Sequence, residues 1–346
     1  MSVQNNPFSL LFGKPPLEMI ERVAQADAIY SDFCSEWPAS QINLISGIRG
    51  SGKTVFLTET ANRFKQTESW VVVDLNPDRD LLKSLVAKLY SEKSLMPVFK
   101  KAKINLSFFG IGVEIEGAAP VSDIEVALGR MLESLKRDGK RLLVTIDEVT
   151  NNKAMRIFVS AFQILIRQDL PIFLLMTGLY KNIVSIRNAD TLTFLERAPR
   201  TELEPLNQNL MAQRYADSLH VTLAEATRLA GFTKGYSFAF QVLGYYAWEN
   251  PGETDQAMAR SAQYLFEFSY KKIWSELSKT DKKVLRAIAQ VPGGEIALIR
   301  EKLEYTSSQF NPYRDRLIKA GVVTSPGFGL VEFALPAFEL FVKQYA

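Results

Sequence analysis

The sequence predicts an α/β fold: a parallel sheet covered by helices, then a small helical bundle, then a compact helix-and-hairpin module. Three observations carry this reading. Short apolar runs alternate with helix-periodic stretches through residues 1–206, the pattern of repeated βα units. A glycine-rich segment separates the first of those runs from a strongly periodic stretch. After residue 207 the strand signal vanishes until close to the end of the chain.

Taken in order, strands are expected at 42–46, 70–75, 142–146, 172–177 and 202–206. Between the second and third, KINLSFFGIGVEIEG (103–117) alternates apolar and polar residues around Gly110 and Gly112 and reads as a β-hairpin insertion. Residues 207–270 repeat apolar side chains at spacings of three and four, as in MAQRYADSLH and SFAFQVLGYYAW, and should form a helical lid. From 271 to 346 the chain changes again. SKTDKKVLRAIAQ opens with capping Ser and Thr and an early Asp, EIALIREKL is a second helix, and SSQFNPYRDRLIKAG is a third that ends at Gly321. VVTSPGFGLVEFAL then supplies two strands around a Pro-Gly turn, so this module is expected to be a winged helix. Pro312 should distort its third helix unless it falls in the first turn.

At 346 residues the chain exceeds what one core fills, so a division at 1–206, 207–270 and 271–346 is natural. The 47% apolar and 23% charged composition is that of a folded globular protein. A single Cys34 excludes an internal disulfide, and a single His220 leaves no His/Cys metal cluster and no His-based catalytic dyad. No apolar run approaches the roughly 18 residues that cross a bilayer, and the opening lacks the layout of a signal peptide. A cytoplasmic protein without a membrane segment is expected. The net charge of +3 is small, but from Phe266 onward 12 Lys and Arg face 9 Asp and Glu, so the whole excess sits in the C-terminal segment.

The chemistry is concentrated in two short motifs. Gly47, Ile48, Arg49, Gly50, Ser51, Gly52, Lys53 and Thr54, followed by Val55, spell G-x-x-x-x-G-K-T between an apolar strand and an apolar-periodic helix. Glycines allow the backbone to approach phosphate with its N–H groups pointing inward. Lys53 reaches the outer phosphates of a nucleotide, and the Thr54 hydroxyl is suited to bind Mg²⁺. The second motif is RLLVTIDEV, a buried strand ending in two carboxylates. Asp147 is placed to hold Mg²⁺, and Glu148 to activate the attacking water. The expectation is a P-loop ATPase that binds ATP or ADP. A carboxylate at 148 favours hydrolysis, and the N-K-x-D that reads guanine is missing.

This arrangement resembles the AAA+ superfamily, in particular the archaeal and bacterial ATPases with a C-terminal winged helix that lie near the origin-recognition initiators and the STAND signalling ATPases. The opening NPFSLLFGKPP is similar to an N-terminal box that runs beside the adenine in that branch. The resemblance implies that Thr177, in FLLMTG, stands at sensor 1. It also implies that Arg197 and Arg200 lie where relatives place an arginine finger, delivered in trans within a homo-oligomer. FTKGYSFAFQVLG is similar to the lid motif, with Ser237 where proline is expected, and Lys234 becomes a sensor-2 candidate.

In a winged helix the third helix enters the major groove and the wing touches phosphate or the minor groove. Here Gln309, Asn311, Tyr313, Arg314, Arg316 and Lys319 are the residues expected to meet duplex DNA, with Ser325 on the wing. The leading expectation is therefore Mg-dependent ATP hydrolysis coupled to conformational change or assembly on DNA. The alternative is a STAND-like signalling or defence ATPase whose winged helix is autoinhibitory or binds a protein.

Overall fold

The computed structural model describes residues 5–11, 13, 15–111 and 121–345. They fall into two compact units. The sheet unit comprises Arg22–Ser46 and Lys53–Glu202; the helical unit comprises the described residues up to Glu21, the loop Gly47–Gly52, and the chain from Leu203 onward.

The sheet unit runs α1 (Val23–Cys34), β1 (Ile42–Ser46), α2 (Lys53–Lys65), β2 (Trp70–Leu75), α3 (Leu81–Ser91), α4 (Met96–Lys101), α5 (Ile124–Arg137), β3 (Arg141–Ile146), α6 (Lys153–Arg167), β4 (Ile172–Gly178), α7 (Tyr180–Arg187) and β5 (Arg200–Glu202). The five strands are parallel in the order β2-β3-β4-β1-β5. β1 and β4 are buried at every residue and read as mostly apolar runs, although β1 also buries Asn43 and Ser46; β2, on the edge, is only partly buried. Asp80, Asp123 and Asn152 cap α3, α5 and α6 through their side chains. Phe64, Trp70 and Phe173 pack ring against ring near the N-terminal end of the strands, with Arg141 over Trp70 and Phe173. Register matters most at the other end. Ser46 pairs with Gly178 and Ile146 with Met176, so β1 and β4 end level while β3 stops two residues earlier, and Asp147, which follows β3, comes beside Thr177. That edge is where open α/β sheets bind ligands.

Two expectations are corrected here. The described part of the predicted hairpin, up to residue 111, contains no strand; Ser107–Phe109 is a 3-10 turn. Ile104, Asn105 and Leu106 are all buried, so the chain does not present alternate faces to solvent. The Asn105 side chain accepts from Ser107 N–H at 3.1 Å and curls the backbone into the turn. Residues 112–117 of that segment lie outside the described residues. The fifth strand is Arg200–Glu202 rather than 202–206. Pro205 has no N–H to give a ladder, and Leu206 N–H donates instead to the Gly235 carbonyl at 2.8 Å.

The helical unit continues with α8 (Gln208–Leu219), α9 (Leu223–Thr233), α10 (Ser237–Glu249), α11 (Thr254–Leu265), α12 (Lys271–Ser275), α13 (Lys279–Ala289), α14 (Ile296–Leu303), α15 (Ser307–Lys319), the antiparallel pair β6 (Val323–Thr324) and β7 (Glu332–Phe333), and α16 (Phe338–Tyr345). Phe8, from the N-terminal box, is buried against Tyr215 and Phe240, and a Cβ at Gly244 would collide with its ring. A π-helical turn, Phe266–Tyr270, joins α11 to α12; from it Ser269 bonds Tyr236 and Tyr270 donates to the Pro336 carbonyl at 2.6 Å.

Helices α13 to α15 followed by β6 and β7 follow the winged-helix order, and α16 is an addition that the sequence did not announce. α16 is needed because Phe338, Phe341 and Val342 complete the same buried cluster as Val284, Leu285 and Phe310. Removing a ring of this kind, for example Phe338→Ala, costs roughly 3–5 kcal/mol. α15 continues through Pro312, with buried Phe310 and Leu317 on either side of it. No helix among the described residues is long and apolar enough to cross a membrane.

Candidate nucleotide site

The carboxylate corner belongs to the sheet unit. Asp147 follows directly after β3 and receives two hydroxyl donors: Thr54 Oγ1, from the first turn of α2, at 2.6 Å, and Thr177 Oγ1, from β4. Thr177 is fully buried, so strand packing fixes its hydroxyl. Glu148 N–H donates to Asp147 Oδ1 at 2.9 Å and Val149 N–H to the Thr177 carbonyl at 2.8 Å, which ties the turn to the adjacent strand. Glu148 itself sits at φ 53°, in the left-handed region that a non-glycine residue rarely adopts. Such a backbone persists where its surroundings hold it, and it leaves the Glu148 side chain exposed.

The glycine-rich loop, Gly47–Gly52, is shaped within the helical unit. Gly50 and Gly52 have φ of 77° and 89°. At Gly50 the choice of glycine is doubly enforced, since a Cβ would collide with the Tyr236 phenol. The loop's carbonyls are occupied by donors at the start of α10. Tyr236 Oη donates to the Arg49 carbonyl at 2.9 Å, Ser237 Oγ to the Ser51 carbonyl at 3.0 Å, and Phe238 N–H to the Gly50 carbonyl at 3.1 Å. Burial pushes the Tyr236 phenol well above its ordinary range, so it stays a protonated donor. Arg49 pairs with Glu276 at 3.1 Å, and Gly321 backs so closely on Ile48 that a Cβ there would press on it at 3.2 Å.

The residues fit a nucleotide and its metal. Ser51 Oγ is buried and has no hydrogen-bond partner among the described residues, an orphan donor suited to an oxyanion. Lys53 is the first residue of α2 and is buried. Thr54 and Asp147 are hard oxygen donors, which suit Mg²⁺ when phosphate and water complete its shell. Among the described residues no group of three or more His, Cys, Asp or Glu forms a metal cage by itself.

The remaining predicted residues are dispersed. Arg197 ends a 3-10 turn and Arg200 opens β5; both are exposed, and neither side chain makes an ion pair among the described residues. Lys234, in the left-handed region, donates to the Phe333 carbonyl at 2.7 Å. On α15, Gln309 forms a capping box with Thr306, Arg314 pairs with Asp315, and Arg316 pairs with buried Asp281 while lying over the Tyr313 ring. Asn311 is half-buried, whereas Lys319 and Ser325 are exposed. Sequence reasoning missed Tyr236 and Ser237. The available signal was the departure from the expected lid motif in KGYSF.

The parallel sheet, in the order β2-β3-β4-β1-β5, is that of an α/β P-loop ATPase fold. Comparison with solved structures agrees. The chain is similar to the Walker-type ATPase PABY2304 of Pyrococcus abyssi at 16% identity and a TM-score of 0.66, covering 94% of this chain and 96% of that one. It is similar to the Aeropyrum pernix ORC2 protein, in its ADPNP–ADP complexes, at 15% identity and a TM-score of 0.60, covering 94% of each chain. Residues 267–342 match a family model described as a domain of unknown function, DUF8462. No curated protein matches by sequence.

Proposed function

We propose that this chain binds ATP with Mg²⁺ and hydrolyses it, using nucleotide state to set its conformation or assembly, and that its C-terminal module acts on DNA. The single observation that carries the ATPase reading is the convergence of the Thr54 and Thr177 hydroxyls on Asp147, with Glu148 next to it on a held turn. In this reading Gly47–Gly52 and Lys53 hold the phosphates. Thr54 and Asp147 would hold Mg²⁺, which would supply positive charge to neutralise the phosphates. Glu148 orients water and takes its proton, and Thr177 fixes Asp147 and senses the reacting end. The solved ORC2 structure carries ADPNP and ADP, which supports the nucleotide class. Arg197 and Arg200, exposed and without an ion-pair partner among the described residues, are candidates for a finger given to a second copy of the chain.

A signalling ATPase restrained by its C-terminal module is a second reading, favoured by one observation: Arg49 and Ile48 of the loop meet Glu276 and Gly321. One experiment tests both. ATP turnover is measured for wild type and Glu148→Gln across protein concentration, with and without duplex DNA. The expected result is nucleotide binding by both proteins, with turnover about 10²–10⁴-fold lower in the variant. Equal turnover removes Glu148 from its role. Turnover that rises with concentration and DNA supports the first reading, and purified monomer that retains ADP regardless of either supports the second.

A further inference from the structure

We infer that the C-terminal module grips a nucleic-acid backbone with α13, the first helix of its winged-helix order, in addition to or in place of α15. This rests on the DNA reading above and assigns the surface that would carry it. Lys279, Lys282, Lys283 and Arg286 recur at i, i+3, i+4 and i+7 and therefore share one helical face. Lys279, Lys283 and Arg286 are exposed, Lys282 is half-buried, and none of the four makes an ion pair among the described residues. The one acid of α13, Asp281, is 4% exposed and is consumed by the Ser278 cap and by Arg316.

Elsewhere in the module acids and cations largely cancel. Glu267 pairs with Lys271, Glu276 with Lys272, Asp315 with Arg314, and Glu339 with Lys343. α14 alternates Arg300 and Lys302 with Glu301, and Glu304 follows it. The positive excess of the C-terminal segment is thus displayed on α13, whereas two of the cations on α15 are already engaged. Four like charges within two turns repel one another. A polyanion bound along this face would relieve that repulsion from outside.

Aromatic rings lie beneath these cations. Lys282 and Arg286 sit over Trp274 at 5.6 and 5.5 Å, and Lys283 over Tyr305 at 5.1 Å. Ring faces hold the charged ends in place and lower the ordering cost of meeting phosphate. From 279 to 286 the helix rises about 10 Å, enough to face more than one phosphate of a strand.

The test is duplex binding by the intact chain, followed by anisotropy of a labelled random-sequence duplex over a salt series. Lys279→Gln/Lys283→Gln/Arg286→Gln is expected to weaken binding about 10- to 100-fold. It should reduce the slope of log K against log salt by about 3. The charge-retaining Lys279→Arg/Lys283→Arg/Arg286→Lys should bind like wild type, which separates lost charge from lost folding. Asn311→Ala/Lys319→Gln, on α15, should change affinity less than the α13 triple. If the α13 triple binds like wild type while the α15 pair loses binding, the assignment to α13 fails and the DNA reading stands. If wild type binds no duplex at any salt, or binds phosphatidylserine vesicles in its place, the DNA reading falls and this inference with it.

Discussion

The Asp147 corner of the sheet unit and the Gly47–Gly52 loop of the helical unit, to which the proposed function assigns metal and phosphate, are held in different ways. At the corner, side-chain hydroxyls from buried or first-turn positions of the sheet unit converge on a carboxylate. In the loop, backbone carbonyls are held by residues 236–238; the Tyr236 bond alone spans 187 positions of chain. The corner is set by strand packing that forms with the sheet. The loop's conformation depends on the helical unit, so changes far away in sequence should reach phosphate binding without touching the sheet.

The largest effect is expected from Gly50→Val. Its positive φ and the nearby Tyr236 ring both oppose a side chain, so nucleotide affinity should fall by at least about 100-fold, with roughly 1–3 kcal/mol of destabilisation. Isothermal titration with an ATP analogue and a thermal melt measure the two, and unchanged affinity would break the comparison. Thr177→Val comes next. It keeps shape but removes a donor to Asp147, so turnover should fall about tenfold while affinity stays within about threefold. An equal loss of affinity in steady-state and binding assays would mean that the corner and loop are not separable.

The smallest effect is expected from Tyr236→Phe, which removes one hydroxyl and leaves the Arg49 carbonyl without that donor. Carbonyls held by α10 leave the loop's N–H groups available for phosphate, so the variant should bind nucleotide about three- to fivefold more weakly, consistent with a hydrogen bond worth about 1 kcal/mol. Tighter binding would show that Tyr236 restrains the loop instead of shaping it.

What could be read from sequence follows the same division. The G-x-x-x-x-G-K-T run and the apolar strand ending in Asp147 and Glu148 are local patterns with local causes, and both were visible. β1 and β4 were equally legible because burial on both faces writes a mostly apolar run, interrupted in β1 by the buried Asn43 and Ser46. The Tyr236 to Phe238 grip was not visible, because it joins segments far apart in the chain. The failed hairpin at 103–111 has the same origin: alternation suggested a strand, but burial of Ile104, Asn105 and Leu106 together is a tertiary fact. The α15 residues illustrate the converse. Arg316 and Gln309 look like free polar groups in sequence, and the structure engages them with Asp281 and Thr306.

The π-helical turn at Phe266–Tyr270 has a consequence for how this chain can vary in length. A π turn accommodates one residue more than an ordinary helical turn, so deleting a single residue within it would heal the helix and rotate all that follows by about 100° about the axis. Ser269 would leave Tyr236, Tyr270 would leave Pro336, and α12 would turn Glu276 away from Arg49. Loops can usually gain or lose residues freely, but here a one-residue indel inside a helix would be read as a change of phase for everything downstream.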